Sequence, residues 1–311
     1  GRRDPDPGRI DPISILLSMA AMIPVVYAIK SFAVDGPNLT AGAWALAGIV
    51  MGVLFVRRQL RAQTPMLDMK LFRQGTFSGA ILVNLLSVVA LVGFLYFVSQ
   101  HLQLVLGLSP MVAGIALVPG MVMMIVAGLA VVPISRRVSP HIVVPSALVF
   151  SVAGYLLVAF STSDHGVVPL VIAFIVLGIG IGAAETISNE LILSSAPPAK
   201  AGAASAVSET AYELGAVLGT AVLGGLITAF YRGALVIPAG IPAEAAAHAR
   251  ETLAGAYTAA QELPADLGDA LWNAAAAAFG SGVTVTSLIG AGLVVVAGVI
   301  AALTLRPARQ G

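Results

Sequence analysis

Long apolar runs broken by short polar or charged stretches recur along the whole chain, and this alternation predicts membrane-spanning helices rather than a soluble core. Eight runs fall near Ile13–Phe32, Ala41–Val56, Phe77–Val105, Val112–Pro133, Ile142–Phe160, Val167–Leu193, Ala204–Phe230 and Val283–Leu305. The second is short; the third is long enough to tilt or to continue past the lipid as a helix. Between the last two lies an Ala-rich stretch, 232–280, with two helical patterns, each opened by a proline with an acid close behind: Pro242-Ala-Glu and Pro264-Ala-Asp. Proline and an acid in a first turn start a helix, and Gly255 or Gly280 is placed to close each piece. A helical hairpin outside the membrane is expected, either as a lid over the outer mouth or as a solvated insertion.

Basic residues give the direction of the spans. Arg2, Arg3, Arg9, then Arg57, Arg58, Arg61, Lys70, Arg73, then Arg136, Arg137, then Lys200, then Arg306 and Arg309 fall on alternate connections, with Lys30, Arg232 and Arg250 on the others. The positive-inside rule therefore places both ends in the cytoplasm. Composition agrees with the pattern: 58% of residues are apolar, 10% are charged and the mean hydropathy is +0.97. A net charge of +1 with dispersed basic residues leaves no footprint for nucleic acid. Cysteine is absent, which removes disulfides and thiolate metal sites. Gly1 in place of an initiating methionine, and a first segment without a signal-peptide core, predict a piece of a longer protein.

Two glutamates, Glu209 and Glu213, interrupt the apolar stretch from Ala201 to Tyr231. A carboxylate at the centre of a bilayer costs roughly 2.5–3.5 kcal/mol on insertion scales, so such acids mark function by default. Spacing i, i+4 puts both on one helix face. At about 1.5 Å per residue they lie roughly 14 and 20 Å from Lys200, near the midplane. Two acids desolvated on one face are expected to share a proton at neutral pH, a state that exchanges readily against a cation. The alternative is that they are protonated hydrogen-bond partners between helices.

Three motifs carry a family resemblance. The segment Ala199-Lys200 through Ser208-Glu209-Thr-Ala-Tyr212-Glu213-Leu-Gly215 to Gly219 resembles the penultimate helix of fourteen-helix exporters in the drug:H+ antiporter-2 branch of the major facilitator superfamily. Pro65-Met-Leu-Asp68-Met-Lys70-Leu-Phe-Arg73 resembles a cytoplasmic connection of that branch, and Gln100-His-Leu-Gln103 through Gly107-Leu-Ser109-Pro110 to Pro119 resembles another of its signatures. The resemblance extends to Asp6–Asp11.

It implies an all-α membrane protein of eight spanning helices: the two central helices plus the six-helix C-terminal half of a fourteen-helix fold. Residues 1–12 are then a cytoplasmic inter-domain segment, 13–60 the central pair, and 61–76 a cytoplasmic connection. Residues 77–231 hold the first five helices of the transport bundle, 232–281 the extracytoplasmic hairpin, and 282–311 the last helix and tail. The N-terminal six-helix half lies outside this chain and supplies the other wall of a midplane cavity. The implied activity is proton-coupled efflux of lipophilic organic cations across a bacterial inner membrane. Glu209 and Glu213 exchange proton and cation, and no cofactor or metal takes part. Some members carry a further acid a few positions after the residue matching Pro119. Here Pro119-Gly-Met-Val-Met-Met124-Ile is apolar, which favours monovalent cations.

Other readings stay open: export of an endogenous metabolite by the same exchange, or a truncated scaffold that transports nothing. An enzyme is excluded by the absence of HExxH, GxxxxGK and nucleophile-elbow patterns and by four scattered histidines.

Further candidates each have a structural alternative. Tyr212 offers an aromatic face to a cation or packs in the core. Glu185 lines the cavity or is buried without function; Glu190, close to the cytoplasmic end, is an interfacial or gate residue or touches substrate, and Asn189 beside it is a candidate pathway-lining residue. Asn84, Gln100 and Gln103 line the outer half of the pathway or bond between helices; His101 titrates or is interfacial. Met121, Met123 and Met124 form an adaptable wall or face lipid. Gly215 with Gly219, and Gly178, Gly180 and Gly182, predict close helix approach. Arg136-Arg137 resembles a degenerate copy of the superfamily's basic loop or only sets topology.

Overall fold

The computed structural model describes residues 12–35, 39–61, 69–161 and 166–306. Asp6–Asp11, Pro65–Asp68, His165 and Arg309 lie outside the described residues, as do Arg2, Arg3 and the remaining members of the first basic cluster. Apolar residues on every face leave the backbone no partners but its own, so every regular element among the described residues is a helix.

The helices are α1 (Pro12–Asp35), α2 (Leu39–Arg61), α3 (Gly75–Gln100), α4 (Pro110–Ser135), α5 (Pro140–Phe160), α6 (Val167–Ser195), α7 (Ala201–Leu218), α8 (Gly224–Ala234), α9 (Ala243–Glu251), α10 (Leu253–Glu262) and α11 (Ala265–Thr304). A π-turn, His101–Val105, extends α3, and another, Gly219–Leu223, joins α7 to α8 in one rod. Seven segments among the described residues are long and apolar enough to cross a membrane: Leu39–Arg58, Gly75–Val105, Pro110–Ser135, Pro140–Phe160, Val167–Ser195, Pro198–Ala234 and Ala265–Thr304. α1 adds a further helix of 24 residues.

The chain turns sharply where the sequence supplies caps. After α3, Gly107 takes φ +70°, a left-handed conformation open to glycine. Ser109 then accepts a hydrogen bond from the Val112 amide at 3.2 Å, with Pro110 in the first turn of α4. The Gly-Leu-Ser-Pro motif is thus a stop signal followed by a start signal.

Small residues set the packing of the bundle. α6 lies at its centre, against α3, α4 and α5, while α11 closes the far side on α5 and α3. A Cβ on Gly182 would stand 2.2 Å from the Met124 carbonyl oxygen, and one on Gly180 2.5 Å from that of Ala147. The expected close approach of these glycines is therefore to α4 and to α5, respectively. Gly215 and Gly219 bring α7 and its π-turn against the backbone of α3 at Leu85 and Val89 in the same way. α1 and α2 pack on one another, with Tyr27 against Trp44 at 5.1 Å, and lean on α7 through α1.

The last connection departs from expectation. Gly255 lies inside α10, and the helix begun after Pro264 does not close at Gly280 but runs on to Thr304. The alanine run 274–278 propagates the helix, and one glycine at about 1 kcal/mol is too weak a breaker to stop it. Forty residues make roughly 60 Å, twice the hydrocarbon thickness, so the first half of α11 projects beyond the lipid.

α10 docks on that projecting part, Tyr257 meeting Trp272 edge-to-face at 5.4 Å, and α9 packs in turn on α10. A latch holds them to α8. The Tyr231 hydroxyl donates to the Ala249 carbonyl at 2.5 Å, and the Arg232 guanidinium donates to the carbonyls of Arg250 and Glu251 at 3.1–3.2 Å. These are carbonyls that the end of α9 leaves unpaired, and a cation there also opposes the helix dipole. Replacing Tyr231 by Phe together with Arg232 by Ala is expected to free the α9–α10 segment. At about 1 kcal/mol per lost hydrogen bond, amide exchange across 243–262 should accelerate at least tenfold while the bundle stays protected.

Candidate functional site

Three helices supply the site. α3 presents Asn84, α6 presents Glu185, Thr186 and Asn189, and α7 presents Ser208, Glu209 and Tyr212, together lining a cavity of about 370 Å³. Counting about 1.5 Å per residue from Gly75, from Ser195 and from Ala201, Asn84, Glu185 and Tyr212 lie roughly 14–17 Å inside the end that carries Arg136, Arg137 and Lys200. That is near the middle of a hydrocarbon core about 30 Å thick.

None of the lining residues is basic. Tyr212 stands within electrostatic reach of Glu185, Glu209 and Glu213. The cavity therefore presents acids, amides, hydroxyls and one phenol, a set that attracts cations and repels anions.

Hydrogen bonding divides the lining. The Ser208 hydroxyl donates to Asn189 Oδ1 and ties α7 to α6, while Thr186 donates back to its own helix at the Gly182 carbonyl, 2.8 Å. Asn84 Oδ1 and Glu185 Oε1 are buried with no hydrogen-bond partner among the described residues.

Glu209 and Glu213 share a face, as their spacing predicts, but both are exposed on this chain, and Glu213 does not line the cavity. The packing of α7 on this chain accounts for that exposure. Ala204, Ser208, Ala211 and Gly215 form its buried stripe against the bundle, which turns Glu209, Tyr212 and Glu213 outward. The acid with a buried oxygen is Glu185, on the neighbouring helix.

The amide residues of α3 part company. Asn84 belongs to the cavity and lies toward the basic end, not the outer half. Gln100 borders a void of about 30 Å³ beneath α9 and α10, beside Tyr96, Tyr231 and Phe279, and Gln103 donates to Ser99 of its own helix at 3.0 Å. His101 is buried and stacked on Phe279 with ring centroids 6.4 Å apart. Glu190 is exposed and outside the cavity. Met124 packs on Gly178 and Gly182 between α4 and α6, and Met121 is exposed away from the cavity lining. The meeting of Asn84 with Glu185, a hundred residues apart, has no local signal in the sequence.

Comparison with known proteins agrees with this architecture. A family model described as Major Facilitator Superfamily matches residues 13–220. The multidrug efflux pump LfrA of Mycolicibacterium smegmatis is 48% identical over 304 residues, covering 98% of this chain and 60% of that protein. The methyl viologen resistance protein SmvA of Salmonella typhimurium is 31% identical over 286 residues, covering 90% of this chain and 56% of the relative. The chain thus spans less than two thirds of the length of these relatives. A crystal structure of a bacterial homologue of the human lysosomal transporter Spinster, inward-facing and unoccupied, superposes with a TM-score of 0.55 at 14% identity, over 94% of this chain and 70% of that one. At that identity the likeness is one of fold.

Proposed function

As this chain belongs to the Major Facilitator Superfamily, a family of membrane transporters and not of enzymes, we propose that it exports lipophilic, monovalent organic cations in exchange for protons. In this reading it is the C-terminal part of a fourteen-helix exporter of the drug:H+ antiporter-2 branch. α1 and α2 are the central pair, and α3 to α8 with α11 form the C-terminal six-helix half. The basic end faces the cytoplasm of a bacterial cell, both ends of the chain lie on that side, and α9–α10 stand outside the inner membrane.

One observation carries the reading: a cavity near mid-membrane whose lining holds two acids and no base. Glu209, with Glu213 a turn further along the same exposed face, attracts the cation, and Tyr212 between them offers its ring. The six helices outside this chain form the opposing wall and desolvate that face when assembled. A cation entering from the cytoplasm or inner leaflet displaces a proton, and reprotonation from outside releases it after the two halves rock about the cavity.

The test is transport of tetraphenylphosphonium, a lipophilic monovalent cation, into everted membrane vesicles with an acidic lumen. Uptake is expected to collapse with the proton gradient and to fall at least tenfold in a Glu209→Gln, Glu213→Gln double variant, about 1.4 kcal/mol or more of lost driving interaction. Unchanged transport of every substrate in that variant would remove the coupling role from these acids. Transport of neutral or anionic metabolites in preference to the cation would favour the export of natural products instead.

A further inference from the structure

Behind the cavity the contact between α3 and α6 is polar where a membrane bundle is ordinarily apolar. Ser87 is 1% exposed, Ser188 0% and Asn84 5%. Ser87 Oγ, Ser188 Oγ, Asn84 Oδ1 and Glu185 Oε1 all lack a hydrogen-bond partner among the described residues. Four such atoms on one pair of helices are far from ordinary, because a buried polar atom left unpaired costs more than a formed hydrogen bond returns.

Register places them in one file. Phe94 of α3 meets Phe174 of α6 with ring centroids 5.7 Å apart, fixing the level at which these antiparallel helices touch. Seven residues, two turns, separate Ser87 from Phe94 on one face. Eleven and fourteen, three and four turns, separate Glu185 and Ser188 from Phe174. At about 1.5 Å per residue, Asn84 and Glu185 lie level to within about 2 Å, Ser188 about one turn nearer the basic end and Ser87 about one turn farther from it.

The file ends in an aromatic plug. Phe94 packs against Phe97, Phe174 and Tyr155, and the Tyr155 hydroxyl donates to the Ala90 carbonyl, so the next polar group along is already satisfied. Partway along, between the levels of Ser87 and Ser188, the file opens to the cavity through Asn84 and Glu185.

We propose that the α3–α6 seam is an internal hydration site in which Asn84, Ser87 and Ser188 hold ordered waters against Glu185, and that these waters deliver and remove its proton. This rests on the antiport reading of the cavity. It divides the work: the exposed face of α7 receives the cation, and Glu185 with its waters carries the proton. In each transfer an O–H bond forms on a Glu185 oxygen as one breaks on the adjoining water, which is reprotonated by the next water toward the cavity. Ordered waters occur where several buried polar groups otherwise lack partners and there is space beside them; the four atoms lack partners, and the cavity of about 370 Å³ that Asn84 and Glu185 line supplies the space.

The titratable groups around Glu185 are few. α4 has none, α3 has only Tyr96 near the far end, and α5 has Tyr155, engaged with Ala90, and His141, which bonds Ser139 near the basic end. α7 brings Glu209, Tyr212 and Glu213 from the cavity side.

The experiment uses the full chain as its gene encodes it, comparing wild type, Glu185→Gln, a Ser87→Ala, Ser188→Ala double variant, and Ser188→Thr, which keeps the hydroxyl. Infrared difference spectroscopy over a pH titration should show a protonated-carboxyl band absent in Glu185→Gln and water bands that shift in H2(18)O. The double variant should lose those water bands and displace the carboxyl midpoint by about one pH unit, a tenfold change in proton affinity. Its proton-driven transport should fall about tenfold with tetraphenylphosphonium binding unchanged, and Ser188→Thr should restore both signals. Unaltered water and carboxyl bands with a raised melting temperature in the double variant would overturn the proposal, showing the hydroxyls to be merely unsatisfied. The infrared signals stand independently of transport, so a wild-type protein that moves no cation would refute the antiport reading while the hydration site is judged on its own bands.

Discussion

Replacing Glu185 with glutamine is expected to abolish proton-driven accumulation of a lipophilic cation while leaving the protein folded and able to bind it. The amide keeps the size and polarity of the carboxyl but carries no exchangeable charge. The expected loss in gradient-driven uptake is 100-fold or more, about 2.7 kcal/mol. Exchange of labelled for unlabelled cation at equal pH should survive, because that cycle needs no net proton movement. Gradient-driven uptake at the wild-type rate would remove Glu185 from the coupling machinery and return the whole task to α7.

The second large effect concerns assembly. Gly182→Ala places a Cβ 2.2 Å from the Met124 carbonyl oxygen and 2.9 Å from its carbon. Backbone cannot rotate aside as a side chain can, so α4 must leave α6. Overpacking typically costs 1–3 kcal/mol, and a clash against main chain belongs at or above the upper end of that range. Most of the protein should be lost as aggregate on size-exclusion chromatography, with the surviving fraction melting several degrees lower. Gly292→Ala in α11, whose Cβ would meet nothing within 4 Å, is the matched control. It should be neutral or stabilising, since alanine is favoured over glycine in a helix by about 0.5–1 kcal/mol.

How much of this was legible in the sequence follows from the range of the forces involved. Hydropathy marks where helices cross, because the cost of unpaired backbone in lipid is local and large. Caps such as Ser109-Pro110 could likewise be read residue by residue. Glycine spacing predicted close approach, but not that Gly180 meets α5 while Gly182, two residues on, meets α4. The continuation of α11 through Gly280 is not legible locally, because a single glycine looks like a stop, whereas the alanines before it outweigh its cost.

At the site, the pairing of Glu209 with Glu213 followed from a four-residue spacing, whereas their exposure depended on which side of α7 the glycines and small residues turn inward. Glu185 was visible as an acid in an apolar helix. Its standing beside Asn84, and the unpaired serines behind it, are tertiary facts set by the α3–α6 register that Phe94 and Phe174 fix. Gln100, alike to Asn84 in sequence, is separated from it by roughly 24 Å of helix and by nearly half a turn around the helix axis, so it faces a different void.

The central claim is that one cavity exchanges a cation for a proton, and the most direct measurement reads both at once. In everted vesicles whose lumen has been acidified, tetraphenylphosphonium is added while luminal pH and the cation accumulated in the lumen are followed together. Luminal pH is predicted to rise in step with cation uptake in the wild type, and both signals are predicted to vanish in Glu185→Gln. Cation uptake without any change in luminal pH would contradict the account.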